Sequence, residues 1–116
     1  ETMRKRVRHV VTEDDRVLEV VQVLRSGTDP RAIGPMLNAS HASMRDDYEV
    51  SVPQVDALVE LASSERDVYG ARLTGGGFGG SIVILAKRGS GRAVAERVAE
   101  RYRAECAETP TILLPA

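Results

Sequence analysis

The sequence predicts a single α+β domain, with helices packed on one face of a small antiparallel sheet. Three observations predict it. The first 65 or so residues carry apolar side chains at helical spacing. The spacing then changes to two over Tyr69–Leu73, as in a half-buried strand. A second apolar run follows after one short glycine-rich turn, and adjacent strands joined so closely must be antiparallel.

Each element has its own justification. Val17, Val20, Val21 and Leu24 make the inward stripe of a first helix spanning about Val10 to Arg25. Thr12 and Asp15 resemble a capping box at its start, although Arg4–Val11 can equally supply earlier turns. Ser26-Gly27 ends it. A second helix starts after position 28 or 29, with Pro30 in its first turn, and runs to about Arg45. Ile33, Leu37 and Met44 share one face of it, with Ser40 and His41 between. Asp46–Val50 reads as a loop. Ser51 and Gln54 form a capping box around Pro53, opening a third helix with Val55, Leu58, Val59 and Ala62 inward. Ser81–Ala86 is apolar throughout, which suits a central strand covered on both faces. Ser90-Gly91 precedes a last amphipathic helix with Val94, Ala95, Val98, Ala99 and Tyr102 inward. Thr111–Leu114 is expected to form a final strand.

Composition narrows the function classes. The 116 residues carry 16 basic and 17 acidic side chains, so no polyanionic partner is implied. One Phe, three Tyr and no Trp leave no stacking platform for single-stranded nucleic acid. The lone Cys106 makes neither an internal disulfide nor a zinc site, and reads as an apolar filler in a cytoplasmic protein. No run of about 18 apolar residues is long enough to span a membrane. The basic N-terminal stretch lacks the apolar segment of a signal peptide.

The densest local signal is Gly75-Gly76-Gly77-Phe78-Gly79-Gly80, which holds five of the ten glycines. A bare hairpin needs one or two. Such density suits successive backbone N–H groups turned toward a phosphate; a flexible turn that allows close packing is the plainer alternative. Gly75, Gly77 and Gly80 match G-x-G-x-x-G, but a strand follows where a dinucleotide site needs a helix. No lysine follows Gly80, so this is not a P-loop. The catalytic-loop and Asp-Phe-Gly motifs of protein kinases are also missing.

The stretch Met36–Pro53, with Arg45-Asp46-Asp47-Tyr48-Glu49-Val50-Ser51 at its centre, is very similar to a signature of galactokinases. So is Val68–Ser81, which also resembles the third conserved motif of the wider superfamily that includes homoserine, mevalonate and phosphomevalonate kinases. Arg8–Glu13 is galactokinase-like too. Ser81 and Val52 stand where Cys is common, Leu73 where Met is common and Ala42 where Arg is frequent. The resemblance implies a ferredoxin-like α+β sandwich in which residues 1–116 form the C-terminal domain only. It further implies ATP and magnesium in a full-length parent, galactose as the second substrate, and a catalytic N-terminal domain as partner across a cleft. Gly75–Gly80 would line that cleft. The isolated domain is expected to hold no cofactor, to be inactive and to self-associate through surface meant for its partner.

Other candidates are weighed on chemistry. Asp46 and Asp47 are neighbours whose side chains diverge, which favours a helix stop with a capping or salt-bridge role, Arg45 or Arg72 being the partner, over a catalytic pair. Asp47 and Tyr48 remain candidates for the sugar side. Arg72 alternates with apolar residues and either faces phosphate or joins a salt-bridged surface. His41 reads as a satisfied structural residue, and nothing is assigned to His9. Phe78 anchors the glycine segment. No residue of the chain is assigned a catalytic or metal-binding role. A free-standing ligand-binding module and a galactokinase-like sensor or kinase for another sugar stay open.

Overall fold

A computed structural model describes residues 1–27, 29–74, 81–106, 110 and 112. The chain runs α1 (Thr2–Ser26), a 3₁₀ turn (Pro30–Ile33), α2 (Gly34–Ser43), a π-helical turn (Met44–Tyr48), α3 (Pro53–Ser63), β1 (Val68–Thr74), β2 (Ser81–Ala86) and α4 (Gly91–Cys106). Among the described residues it is the α+β arrangement expected, four helices with a two-stranded antiparallel sheet.

The sheet sets the core. Leu73 pairs with Ile82 and Ala71 with Ile84, so these four side chains share one face. α3 and α4 cover that face with Val55, Val59, Leu61, Ala62, Val94, Val98 and Tyr102, and Met44 joins them from the π-helical turn. Cys106 packs against the same cluster, as an apolar filler would. α2 takes a different place, along the edge of β1 that β2 leaves free. There the backbones of Gly34 and Gly70 meet directly, since a Cβ on either would collide with the other segment.

Several local expectations are corrected. α1 begins at Thr2, so Thr12 is interior to it and caps nothing. Its hydroxyl instead donates back to the Arg8 carbonyl at 2.8 Å, a usual habit of mid-helix threonine. Gly27 ends the helix in the left-handed region, φ 70°. Val17, Val21 and Leu24 of the expected inward stripe are exposed, because no other element among the described residues covers them. The second helix starts with Asp29 accepting from the Arg31 N–H at 3.0 Å. Asp46–Tyr48 continue that helix as a π turn rather than a loop, and it closes at Glu49 in the left-handed region, φ 62°. The Ser51–Gln54 box does not form. Val52 occupies the N-cap position of α3, and Ser51 donates to Asp56 instead.

β2 is not a central strand. Its outer edge has no partner strand among the described residues, and Val83 is 45% exposed. An open apolar groove of about 670 Å³ runs between β2 and α4, with Pro110 and Ile112 at its rim. The final strand expected over Thr111–Leu114 lies outside the described residues, apart from Ile112, which is in no strand. Among the described residues no helix is long and apolar enough to cross a membrane.

Candidate functional site

The glycine segment Gly75–Gly80 and its Phe78 lie outside the described residues. What surrounds it is described. β1 delivers its start and β2 its end, and the Thr74–Ser81 pair closes the base.

One residue before that pair, Leu73 enters the core, and Arg72 leaves on the opposite side. The Arg72 guanidinium is held at both ends. Nε donates to the Leu73 carbonyl at 2.9 Å, and Nη1 donates to Glu13 Oε2 at 3.2 Å and Ser40 Oγ at 3.1 Å. Ser40 in turn donates to Glu13 Oε2 at 2.6 Å. Arg16 Nε donates to the other Glu13 oxygen at 2.8 Å. Burial pushes the Glu13 carboxyl up, but the Ser40 hydroxyl, Arg16 and Arg72 together outweigh it, so the pKa ends below its ordinary 4.5. One carboxylate therefore serves two guanidiniums, and the trio keeps a net charge of +1 beside the base of the glycine segment. That sign suits phosphate.

A second polar chain runs beneath it. His41, 3% exposed, accepts the Leu73 N–H at Nδ1 (3.0 Å) and donates from Nε2 to Asp56 Oδ1 (2.8 Å). Ser51 Oγ donates to the same oxygen at 2.7 Å. The three residue types are those of a hydrolytic triad, but the connectivity is not. The serine bonds to the carboxylate rather than to the imidazole, and both ring nitrogens are occupied.

Asp47 and Tyr48 belong to a separate cluster at the N-terminal half of α1. Asp47 pairs with Arg8 at 3.0 Å, and its carbonyl accepts from Arg6 at 2.6 Å. Arg6 also meets Glu49 at 3.1 Å. Tyr48 stacks on His9, ring centroids 4.8 Å apart, and His9 Nδ1 lies 2.8 Å from Ser43 Oγ. Asp46 bonds in bidentate fashion to Arg45, at 2.8 and 2.9 Å. Of the two partners expected for this acidic pair, Arg45 is engaged and Arg72 is not. The structure thus holds Arg72 near the Thr74–Ser81 pair, against Leu73, Glu13 and Ser40, and leaves Asp47 and Tyr48 in another network. Among the described residues no group of three or more His, Cys, Asp or Glu can hold a metal ion.

Sequence reasoning gave no role to Glu13, Asn38, Asp56 or His9. The signal for two of them was spacing. His9, Glu13 and Arg16 recur at i, i+4 and i+7 and share a helix face, visible only once α1 is extended back to Thr2.

Residues 20–104 match the family described as GHMP kinases C terminal. Galactokinase of Streptomyces coelicolor is 46% identical over 112 residues, covering 97% of this chain and 28% of that protein. Galactokinase of Actinobacillus succinogenes is 50% identical over 99 residues, 84% of this chain and 26% of that protein. The crystal structure of Lactococcus lactis galactokinase complexed with galactose aligns at a TM-score of 0.85 and 38% identity, over 94% of this chain and 28% of that one. The chain therefore spans a little over a quarter of the length of these relatives.

Proposed function

The chain belongs to the GHMP kinase family as one of its C-terminal domains, and from that premise we propose that it is the C-terminal part of a galactose-phosphorylating kinase. In such an enzyme the γ-phosphoryl group of ATP passes to the anomeric hydroxyl of galactose, with magnesium neutralising the phosphates. The transfer depends mainly on positioning and charge stabilisation. This reading assigns the chain no metal-binding step.

The chain's own contribution lies at the end of β1. Thr74 and Ser81 pair at the base of the segment Gly75–Gly80, and this reading assigns that segment, on its glycine density alone, the task of meeting phosphate in the interdomain cleft. Arg72 and Arg16, tied to Glu13, add net positive charge on the same side. Asp47 and Tyr48 hold the N-terminal half of α1 and so support the domain rather than the sugar. The exposed apolar residues of α1, Val17, Leu18 and Leu24 among them, are assigned to the N-terminal partner domain. The enzyme is assigned to the cytoplasm.

One observation carries the reading: the likeness to proteins named galactokinase along almost the whole chain, with the Arg45–Ser51 string intact. A full-length protein bearing this domain is expected to release ADP in a galactose-dependent way. The chain alone is expected to release none. Galactose-dependent turnover by the purified chain would overturn the division of labour. Turnover with another sugar alone would overturn the substrate.

A further inference from the structure

Two side chains of α2 do the work of a third strand. Asn38 Oδ1 accepts the Ala71 N–H at 3.1 Å, and His41 Nδ1 accepts the Leu73 N–H at 3.0 Å. Ala71 and Leu73 are two residues apart, so their N–H groups leave the same edge of β1, about 7 Å apart. Asn38 and His41 are three apart on a helix, which brings their side chains within about 5–6 Å of each other. The two spacings are close enough for one helix to satisfy a row of edge donors. Left unpaired, those donors would be costly to keep buried.

The imidazole is the more constrained of the two. Because Nδ1 accepts an N–H, it carries no proton; the ring proton lies on Nε2 and is donated to Asp56. Asp56 is itself anchored by Ser51. The ring is thus clamped between α3 and the end of β1. The residue it grips, Leu73, also has its carbonyl bound by Arg72 Nε. The ring therefore bears directly on the end of β1 and, through the Leu73 carbonyl, on one of the contacts that hold the Arg72 guanidinium.

We propose that His41 is a positioning residue for phosphoryl transfer, fixing the end of β1 and with it the base of the glycine segment and Arg72. It touches no reacting atom. The inference rests on the kinase reading above.

Two measurements test it. In the ¹⁵N-labelled chain, NMR is expected to show Nε2 protonated, Nδ1 bare, and a through-hydrogen-bond coupling between the Leu73 amide nitrogen and Nδ1. Absence of that coupling overturns the proposal without any variant having to fold. In the full-length enzyme, assayed well below its melting temperature, His41→Leu is expected to lower kcat by about 10- to 100-fold, as small misplacements do, with both KM values within about threefold. His41→Gln, which can both accept from Leu73 and donate to Asp56, is expected to recover most of the loss. A folded His41→Leu enzyme with kcat within about twofold of the parent overturns the inference alone. A parent enzyme with no galactose-dependent turnover overturns the kinase reading and the inference together, so the two failures are told apart.

Discussion

Replacing Gly70 by alanine tests whether α2 is seated on β1 by direct backbone contact. A Cβ there would stand 2.8 Å from the Cα and carbonyl carbon of Gly34, and closer still to its oxygen. Both obstacles are backbone, so no side chain can swing aside. Ordinary contact begins near 3.4 Å, and the helix has to retreat by roughly an ångström. That retreat stretches the Asn38–Ala71 and His41–Leu73 bonds, now 3.1 and 3.0 Å. Losing much of two hydrogen bonds costs about 1 kcal/mol each, and the forced methyl adds about 1–3 kcal/mol. Alanine's smaller unfolded-state freedom returns about 0.4–1 kcal/mol. The net loss is about 2–4 kcal/mol, or a Tm lower by roughly 10–20 °C. Gly34→Ala meets Tyr69 in the same way and should fall in the same range, whereas Gly91→Ala has open space and serves as the control. Thermal and urea unfolding followed by circular dichroism give the answer. A Gly70→Ala protein as stable as Gly91→Ala would refute the backbone contact.

Acid sensitivity should centre partly on Glu13. Its folded pKa lies below 4.5, so it contributes stability above its unfolded value and loses it as pH falls through the lower folded value. Urea midpoints should therefore drop below about pH 4.5, and drop less steeply in Glu13→Gln; Asp46 and Glu65, also lowered, supply the remaining slope. Parallel pH profiles would count against the Glu13–Arg72 network. Leu18 and Leu24 are 66% and 65% exposed, so the isolated chain should self-associate in sedimentation, and Leu18→Glu/Leu24→Glu should abolish this at a stability cost within about 0.5 kcal/mol. A wild-type chain that stays monomeric at its solubility limit would remove that face from consideration. Gly77→Val in the full-length enzyme should reduce kcat by about 100-fold if the segment stabilises a developing charge, and unchanged turnover in a folded variant would place the segment outside the active site.

The sequence by itself determined the class of fold and the order of the described helices and strands, α1 to α4 with β1 and β2 between α3 and α4. The change of apolar period from about 3.6 to two, the glycine punctuation at Gly27 and the short connection between β1 and β2 are local properties, so they are legible without a structure. The same holds for the buried face of α4, where Val94, Val98 and Tyr102 repeat at i+4. Family membership was legible as well, in Arg45–Ser51 and the glycine segment.

Tertiary contact decided the rest. Whether Thr12 caps a helix depends on where α1 starts, and α1 starts early because Arg6 and Arg8 bind Asp47, some 40 residues away. Whether Ser51 caps α3 depends on what else its hydroxyl meets, and it meets Asp56. An apolar strand reads as buried, yet β2 is half-open because burial is a property of neighbours rather than of the strand. His41 is the sharpest case. Its sequence context permits a satisfied structural residue or an acid or base. Only the arrival of Leu73 on one nitrogen and Asp56 on the other fixes its tautomer, and a histidine's chemistry follows from which nitrogen holds the proton.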